Sequence, residues 1–301
     1  MRECRLTHAV NDLDGRQLLA AGTRLTPSVM ADLAGNDKPP PETRRLLDQP
    51  HIRQDMAAFF ATPPYDVVFS ADARIAALFD LAGEVVIPLP VITALQHFRR
   101  TDFYTYRHTL LVFALSMLIA RELISDRESL IEEIGAGPTH DIGKLCIPLE
   151  ILTKPTALTE AEHAHLRHHA LAGYVLLTRY FGDPDVLAAR VARAHHERKD
   201  GSGYPLGIAI DDRMVDIIMV SDIYDALISP RPYRPESYDN RSALEEITEQ
   251  ALAGSIDETV VRVLVSLNRR SRPHYTRCTL SSERRGAPPP QNVYGTIEPK
   301  A

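Results

Sequence analysis

Seven side chains of metal-binding type stand out in this sequence: His108, His140, Asp141, His169, His195, His196 and Asp222. Each lies in a stretch whose apolar neighbours predict a helix packed in a core. A lone histidine in such a place is more often a satisfied packing residue than a ligand. Seven polar groups in the helices of one core are harder to dismiss. A buried imidazole or carboxylate without a partner costs about 1–3 kcal/mol, and seven such costs rival the net stability of a domain, about 5–15 kcal/mol. Metal ions would satisfy them together, because cations neutralise aspartates and take imidazole lone pairs. In "THDIGKL" a carboxylate beside a histidine is placed to bridge two ions. Lys144 follows Asp141 by about one helical turn and projects from the same face. Its ammonium would meet an anion held over the metals. That arrangement suits phosphoester hydrolysis, in which ions acidify a water and polarise a phosphoryl oxygen while a cation offsets the growing charge.

Helices must carry these groups. "TYRHTLLVFALSMLIAREL" is apolar nearly all round and predicts a buried central helix bearing His108. "ESLIEEIGAGPTHDIGKL" is expected to form a second helix. "TEAEHAHLRHHALAGYVLLTRYF" is expected to form a third, with Thr159 and Glu162 at capping-box spacing. "DVLAARVARAHHER" leads to the adjacent His195 and His196, and "DDRMVDIIMVSDIYDALIS" carries Asp222 and Asp225. "YDNRSALEEITEQALAG" and "DETVVRVLVSLNRR" complete the helical part. Upstream, "RLTHAV" and "RQLLAAG" read as strands around an "NDLDG" turn. A helix follows, with Thr26 as N-cap and Pro27 at its first position. "NDKPPPE" reads as a linker, and helices are expected around 44–60 and 71–82, separated by "ATPPYD". The chain thus divides into an accessory region over 1–90, a mainly α bundle over 91–270 and a loose tail over 271–301.

Bulk properties exclude other classes. The net charge is −6 over 301 residues, with a pI of about 6.1, so general attraction to nucleic acid or anionic membrane is not expected. The apolar runs "LLVFALSMLIA" and "VVIPLPVI" are too short to span a bilayer, and membrane insertion is not expected. The first thirty residues lack a signal-peptide core. Three cysteines in no motif suggest a reducing, cytoplasmic setting.

"HDIGK" (140–144), "IPLEILTKPTALTEAE" (147–162), "HALAG" (169–173), "HHERKDGSGYP" (195–205), "VSDIYDAL" (220–227) and "RPYR" (231–234) occur in the order and spacing of a known family. In these motifs the chain resembles the HD-GYP family, a bacterial branch of the HD phosphohydrolase superfamily, over about residues 90–270. The resemblance implies an all-α HD-type bundle that hydrolyses cyclic di-GMP to linear pGpG and often on to GMP. It implies two divalent ions, iron or manganese, with zinc and nickel compatible with the same donors. One ion would take His108, His140, Asp141 and Asp222. The other would take His169, His195 and His196, with Asp141 bridging. Lys144, Arg231 and Arg234 match phosphate-contacting positions, and Gly203, Tyr204 and Pro205 match the loop that borders the substrate. Alternatives are hydrolysis of 3',3'-cGAMP or another nucleotide, and a non-catalytic module that binds the ligand or a signalling partner such as a diguanylate cyclase. A homodimer is one open oligomeric state.

Some family members hold a third metal through a glutamate four residues before the first ligand histidine. Tyr104 stands there in this chain, a poor substitute for a carboxylate at neutral pH. Two ions are therefore expected, with Tyr104 at the pocket rim as a packing residue or a hydrogen-bond partner for the substrate. Glu197 reads equally as a partner for a ligand histidine or as a helix-end charge. Asp225 reads as orienting a ligand or arginine, or as capping the turn after it. Asp200 reads as a turn initiator, and the Glu245–Glu246 pair as a solvated helix face. Thr139 bonds back to a carbonyl or to a group around the ligands. His8, His51, His97, His163, His165, His168 and His274 read as surface or packing residues.

Overall fold

The computed structural model describes residues 4–35, 42–70, 72–230 and 236–289. The "NDLDG" turn joins the antiparallel strands β1 (Val10–Asn11) and β2 (Gln17–Leu19), shorter than the expected strands. Helix α1 (Pro27–Ala34) starts where its signals place it. The Thr26 hydroxyl accepts from the Val29 N–H at 3.2 Å, Pro27 opens the helix, and Gly35 ends it at φ 71°. Strand β3 (Thr43–Arg45) pairs antiparallel with β4 (Val86–Pro88), which ties the accessory region to the entrance of the bundle. Between them lie α2 (Pro50–Phe60) and α3 (Asp72–Ala82).

The bundle follows: α4 (Leu89–Thr101), α5 (Phe103–Leu123), α6 (Arg127–Ile134), α7 (Leu149–Leu152), α8 (Glu160–Arg167), α9 (His169–Phe181) and α10 (Leu187–Ala194). It closes with α11 (Arg213–Ile228), α12 (Asn240–Leu252) and α13 (Glu258–Asn268). The central α5 packs on α11 and α4, and α9 packs on α10 and on α1. By length and composition α5 could cross a membrane, but 83% of its apolar window is buried among the other elements. Buried apolar side chains form one continuous cluster from Leu6 to Leu267, so the accessory region shares the core of the bundle.

Four further expectations change. The stretch "ESLIEEIGAGPTHDIGKL" is not one helix. The α6 helix stops at Ile134, and two 3-10 turns follow at Gly137–Thr139 and Ile142–Cys146, with His140 and Asp141 between them. Pro138 lacks the N–H a continuing helix would need. A side chain at Gly143 would bring its Cβ within 1.9 Å of the His169 carbonyl oxygen. The turn therefore seats backbone against backbone on α9. The third expected helix is likewise two. The capping box at Thr159 and Glu162 is formed, but the chain breaks at His168. The break leaves α8, which has no buried residue, on the surface, while α9 enters the core. The tail is tied down as far as it is described. Arg284 pairs with Glu246 at 3.0 Å, and Glu245 accepts from the backbone N–H groups of Arg285 and Gly286. Glu245 and Glu246 are thus a docking edge rather than a solvated face.

Candidate metal centre

Five elements bring the seven side chains together. His108 comes from the second turn of α5, His140 and Asp141 from the bend between the 3-10 turns, and His169 from the first residue of α9. His195 and His196 lie just past the end of α10, and Asp222 sits inside α11. All are buried except His196, which is half-buried. Hydrogen bonds settle the ring orientation for most of the histidines. A carbonyl oxygen only accepts, so the ring nitrogen facing it carries the proton. His140 Nδ1 donates to Gly137 O at 3.0 Å, His169 Nδ1 to Leu166 O at 2.6 Å, and His195 Nδ1 to Ala192 O at 3.0 Å. His108 Nδ1 faces Asp225 Oδ2 at 2.6 Å. In each ring the other nitrogen, Nε2, points to the centre.

These inward nitrogens are poorly served by the protein alone. His169 Nε2 lies 3.4 Å from His195 Nε2. Both rings are committed to donate through Nδ1, so in their neutral forms two lone pairs face each other. Burial, the largest influence on each, pushes both down to about 4, so they are neutral near pH 7. His140 Nε2 is buried with no hydrogen-bond partner. Cations would relieve both situations. Two sets of donors lie close enough to share an ion: His169, His195 and His196, and His108, His140 and Asp222. Asp141 stands between the sets. Its Oδ2 is 3.3 Å from His108 Nε2 and 3.5 Å from His140 Nε2, and its Oδ1 is 3.5 Å from His169 Nε2 and 3.9 Å from His195 Nε2.

The electrostatics favour cation binding. Burial works against ionised carboxylates, but Lys144 and the surrounding histidines hold Asp141 well below the usual carboxylate range. His108 does the same for Asp222. Burial likewise opposes charge on His108, yet hydrogen bonds to Asp141, Asp222 and Asp225 hold it well above the ordinary imidazole value. Without metal, His108 thus serves as the counter-charge to these carboxylates. Lys144 reaches Asp141 Oδ2 at 2.5 Å across one 3-10 turn and is 15% exposed, so its ammonium faces the open side of the centre.

On that open side, the Tyr204 ring stacks on His196 with centroids 4.6 Å apart, and the Arg167 guanidinium lies 4.8 Å over Tyr204. Arg167 has no place among the motif residues. The only signal for it in the sequence is a cation two residues before His169. Tyr104 is half-buried and near-parallel to His108 at 6.0 Å. Gly201 takes φ 76°, a backbone that favours glycine. Gly203 is constrained by space instead: a Cβ would fall 2.4 Å from Glu197 Cα and from His196 O. Pro205 follows in the same loop. Arg231 and Arg234 lie outside the described residues.

The open readings of nearby residues resolve as follows. The buried Glu197 is neither a ligand partner nor a solvated charge. Its carboxylate accepts from Leu206 N at 2.6 Å and Ile208 N at 3.1 Å, so it clasps the 200–208 loop. Asp225 orients His108. Asp200 initiates its turn by accepting from Ser202 N, and Thr139 bonds back to Ala136 O. His168 is buried, with Thr7 Oγ1 3.3 Å from its Nδ1. No motif or spacing pointed to Tyr65, whose hydroxyl donates to Asp225.

Comparisons with known proteins identify the family. The chain is 36% identical over 194 residues to a cyclic di-GMP phosphodiesterase of Thermotoga maritima, covering 63% of this chain and 51% of that protein. It is 35% identical over 174 residues to the 3'3'-cGAMP-specific phosphodiesterase 1 of Vibrio cholerae, covering 57% and 39%. The chain thus spans about half the length, or less, of the curated relatives it matches. A solved HDG"Y"P protein of Bdellovibrio bacteriovorus is a more distant likeness, with a TM-score of 0.45 and 16% identity over 89% of this chain and 95% of that one. The HD domain family matches residues 85–260, the stretch that holds all seven converging side chains, and the chain belongs to that family.

Proposed function

We propose that the chain hydrolyses a phosphodiester bond of a cyclic dinucleotide, cyclic di-GMP to pGpG and on toward GMP, on a centre of two divalent ions. His108, His140, Asp141 and Asp222 would hold one ion. His169, His195 and His196 would hold the other, with Asp141 shared. The observation that carries this reading is Asp141, whose two oxygens each face a separate cluster of inward-pointing imidazole nitrogens. When bound, such ions acidify a water and polarise a phosphoryl oxygen. Histidine-rich, carboxylate-bridged donors suit iron or manganese.

The chain's own groups do the rest. Asp141 and Asp222 stay ionised and supply the negative charge that retains cations. Lys144, held beside Asp141, presents its ammonium to a phosphoryl oxygen and offsets its growing charge. Tyr204, held between His196 and the Arg167 guanidinium, puts a ring edge and a cation on the substrate side, and Tyr104 stands beside His108. Arg231 and Arg234 are assigned to the phosphates by their motif positions. The relatives' names support both cyclic di-GMP and 3',3'-cGAMP as substrates. Manganese- or iron-loaded protein incubated with each dinucleotide and resolved by chromatography tests the reading. Linear pGpG from cyclic di-GMP is expected. No product from either dinucleotide, at verified metal loading, overturns it.

A further inference from the structure

The His108 ring is held differently from its neighbours, and the difference leads out of the HD domain. His140, His169 and His195 brace Nδ1 against carbonyls of their own turns. His108 braces against the carboxylate of Asp225, which is fully buried on α11. Asp225 has a second partner: its Oδ1 accepts from the Tyr65 hydroxyl. Tyr65 is fully buried and lies upstream of residue 85, where the family match begins. Ser229 Oγ lies 2.8 Å from the Tyr65 oxygen and accepts from Arg107 at 3.2 Å. Tyr65 spends its proton on Asp225, and Ser229 Oγ lies within donating reach of both oxygens of the same carboxylate at 3.3 Å. A connected chain of donors results: Arg107 donates to Ser229, while Ser229, Tyr65 and His108 all converge on the Asp225 carboxylate. Such chains polarise one another in a low-dielectric interior.

The segment carrying Tyr65 is clipped to the bundle at several points. Asn240 donates to Pro64 O at 3.2 Å, and Arg272 donates to Val67 O, Val68 O and Ser70 Oγ. The Arg107 guanidinium covers the Tyr65 ring at 5.1 Å. Tyr65 is thus inserted into the layer behind a candidate ligand and anchored there.

We propose that Tyr65 is a positioning residue for His108. By holding the Asp225 carboxylate in place, it fixes the His108 ring with Nε2 aimed at Asp141 and Asp222, so a segment outside the HD domain sets how tightly the His108 site holds its ion. This inference rests on the reading of His108 as a ligand. Groups behind a ligand histidine change metal affinity by about 10–100-fold.

Metal-stripped, full-length protein titrated with Mn2+ alone, followed by calorimetry and by the electron paramagnetic resonance of free Mn2+, tests it. His108→Gln first identifies which of the two binding events belongs to this site. If that variant leaves both events unchanged, the ligand reading fails, and the inference with it. Tyr65→Phe keeps the ring and removes only the hydroxyl. It is expected to weaken the His108 event about tenfold, with the other event within about twofold and the thermal midpoint of the metal-free protein nearly unchanged. If His108→Gln removes an event while Tyr65→Phe alters neither, the inference is overturned and the ligand reading stands. Equal weakening of both events together with a fall in thermal midpoint marks a merely structural role and also overturns it. Should Tyr65→Phe fail to fold, Ser229→Ala is read in its place. It removes the hydroxyl that touches both the Tyr65 oxygen and the Asp225 carboxylate, and is expected to weaken the same event about threefold. An unchanged event in that variant overturns the inference.

Discussion

In the His169, His195 and His196 half of the centre, two rings are braced by carbonyls three residues upstream in their own chain segment. In the other half, His108 is braced by a carboxylate 117 residues away in sequence, with a tyrosine from the accessory region behind it. The first kind of support comes from turn geometry and arrives with the local fold. The second exists only once α5, α11 and the segment after α2 have packed together. Asp141 joins the two halves. Its backbone sits in the locally built turn, and its two oxygens are divided between them.

The comparison is broken most completely at that shared residue. Asp141→Ala should cost both ions and reduce hydrolysis to background, since each half loses its common carboxylate. Elemental analysis and turnover check this, and retention of two ions would show that the halves are independent. Lys144→Ala should separate chemistry from metal binding. Both ions stay, while kcat falls about 100–1000-fold, the usual effect of losing one transition-state donor. A variant that also empties the centre would instead make Lys144 a structural counter-charge to Asp141.

A smaller effect is expected at the loop that follows His195 and His196. Glu197→Gln leaves one amide oxygen where two carboxylate oxygens accept from Leu206 and Ile208, and loosens the Tyr204 loop. KM should rise about tenfold, equivalent to one charge-assisted hydrogen bond, with metal content unchanged. Unchanged KM would remove the loop from the substrate's path.

The smallest effect tests α11 itself, which supplies Asp222 and Asp225 to the His108 half and Asp216 near its other end. Burial, opposed by Lys199 at 3.0 Å, pushes Asp216 up to about 6. A carboxyl raised on folding contributes stability that is fully present below its unfolded value near 4 and is lost as pH rises through about 6. Asp216→Asn should therefore flatten the fall in thermal midpoint between about pH 4 and 6 by a few degrees. A profile identical to that of the unsubstituted protein would mean that Lys199 neutralises Asp216 fully.

Residue chemistry and spacing were enough to name the seven inward-pointing side chains, the Thr26 cap, the Thr159–Glu162 capping box and the turn at Asp200. Each depends on a residue type at a short, fixed separation, which a linear reading captures. The same reading missed the breaks at Pro138 and His168. Helical periodicity runs through both places, and the reason the HD turn takes its shape is a backbone contact between Gly143 and α9. It could not assign Glu197, whose carboxylate is bound by N–H groups of a loop that returns to it. Nor could it find Tyr65, which looks like any aromatic residue after a proline pair. Only the packed structure brings that hydroxyl to Asp225 and Asp225 to His108. Long-range hydrogen bonds of this kind leave no periodic trace in the chain. Sequence alone therefore determined which atoms can bind metal, and tertiary packing decided which way those atoms point.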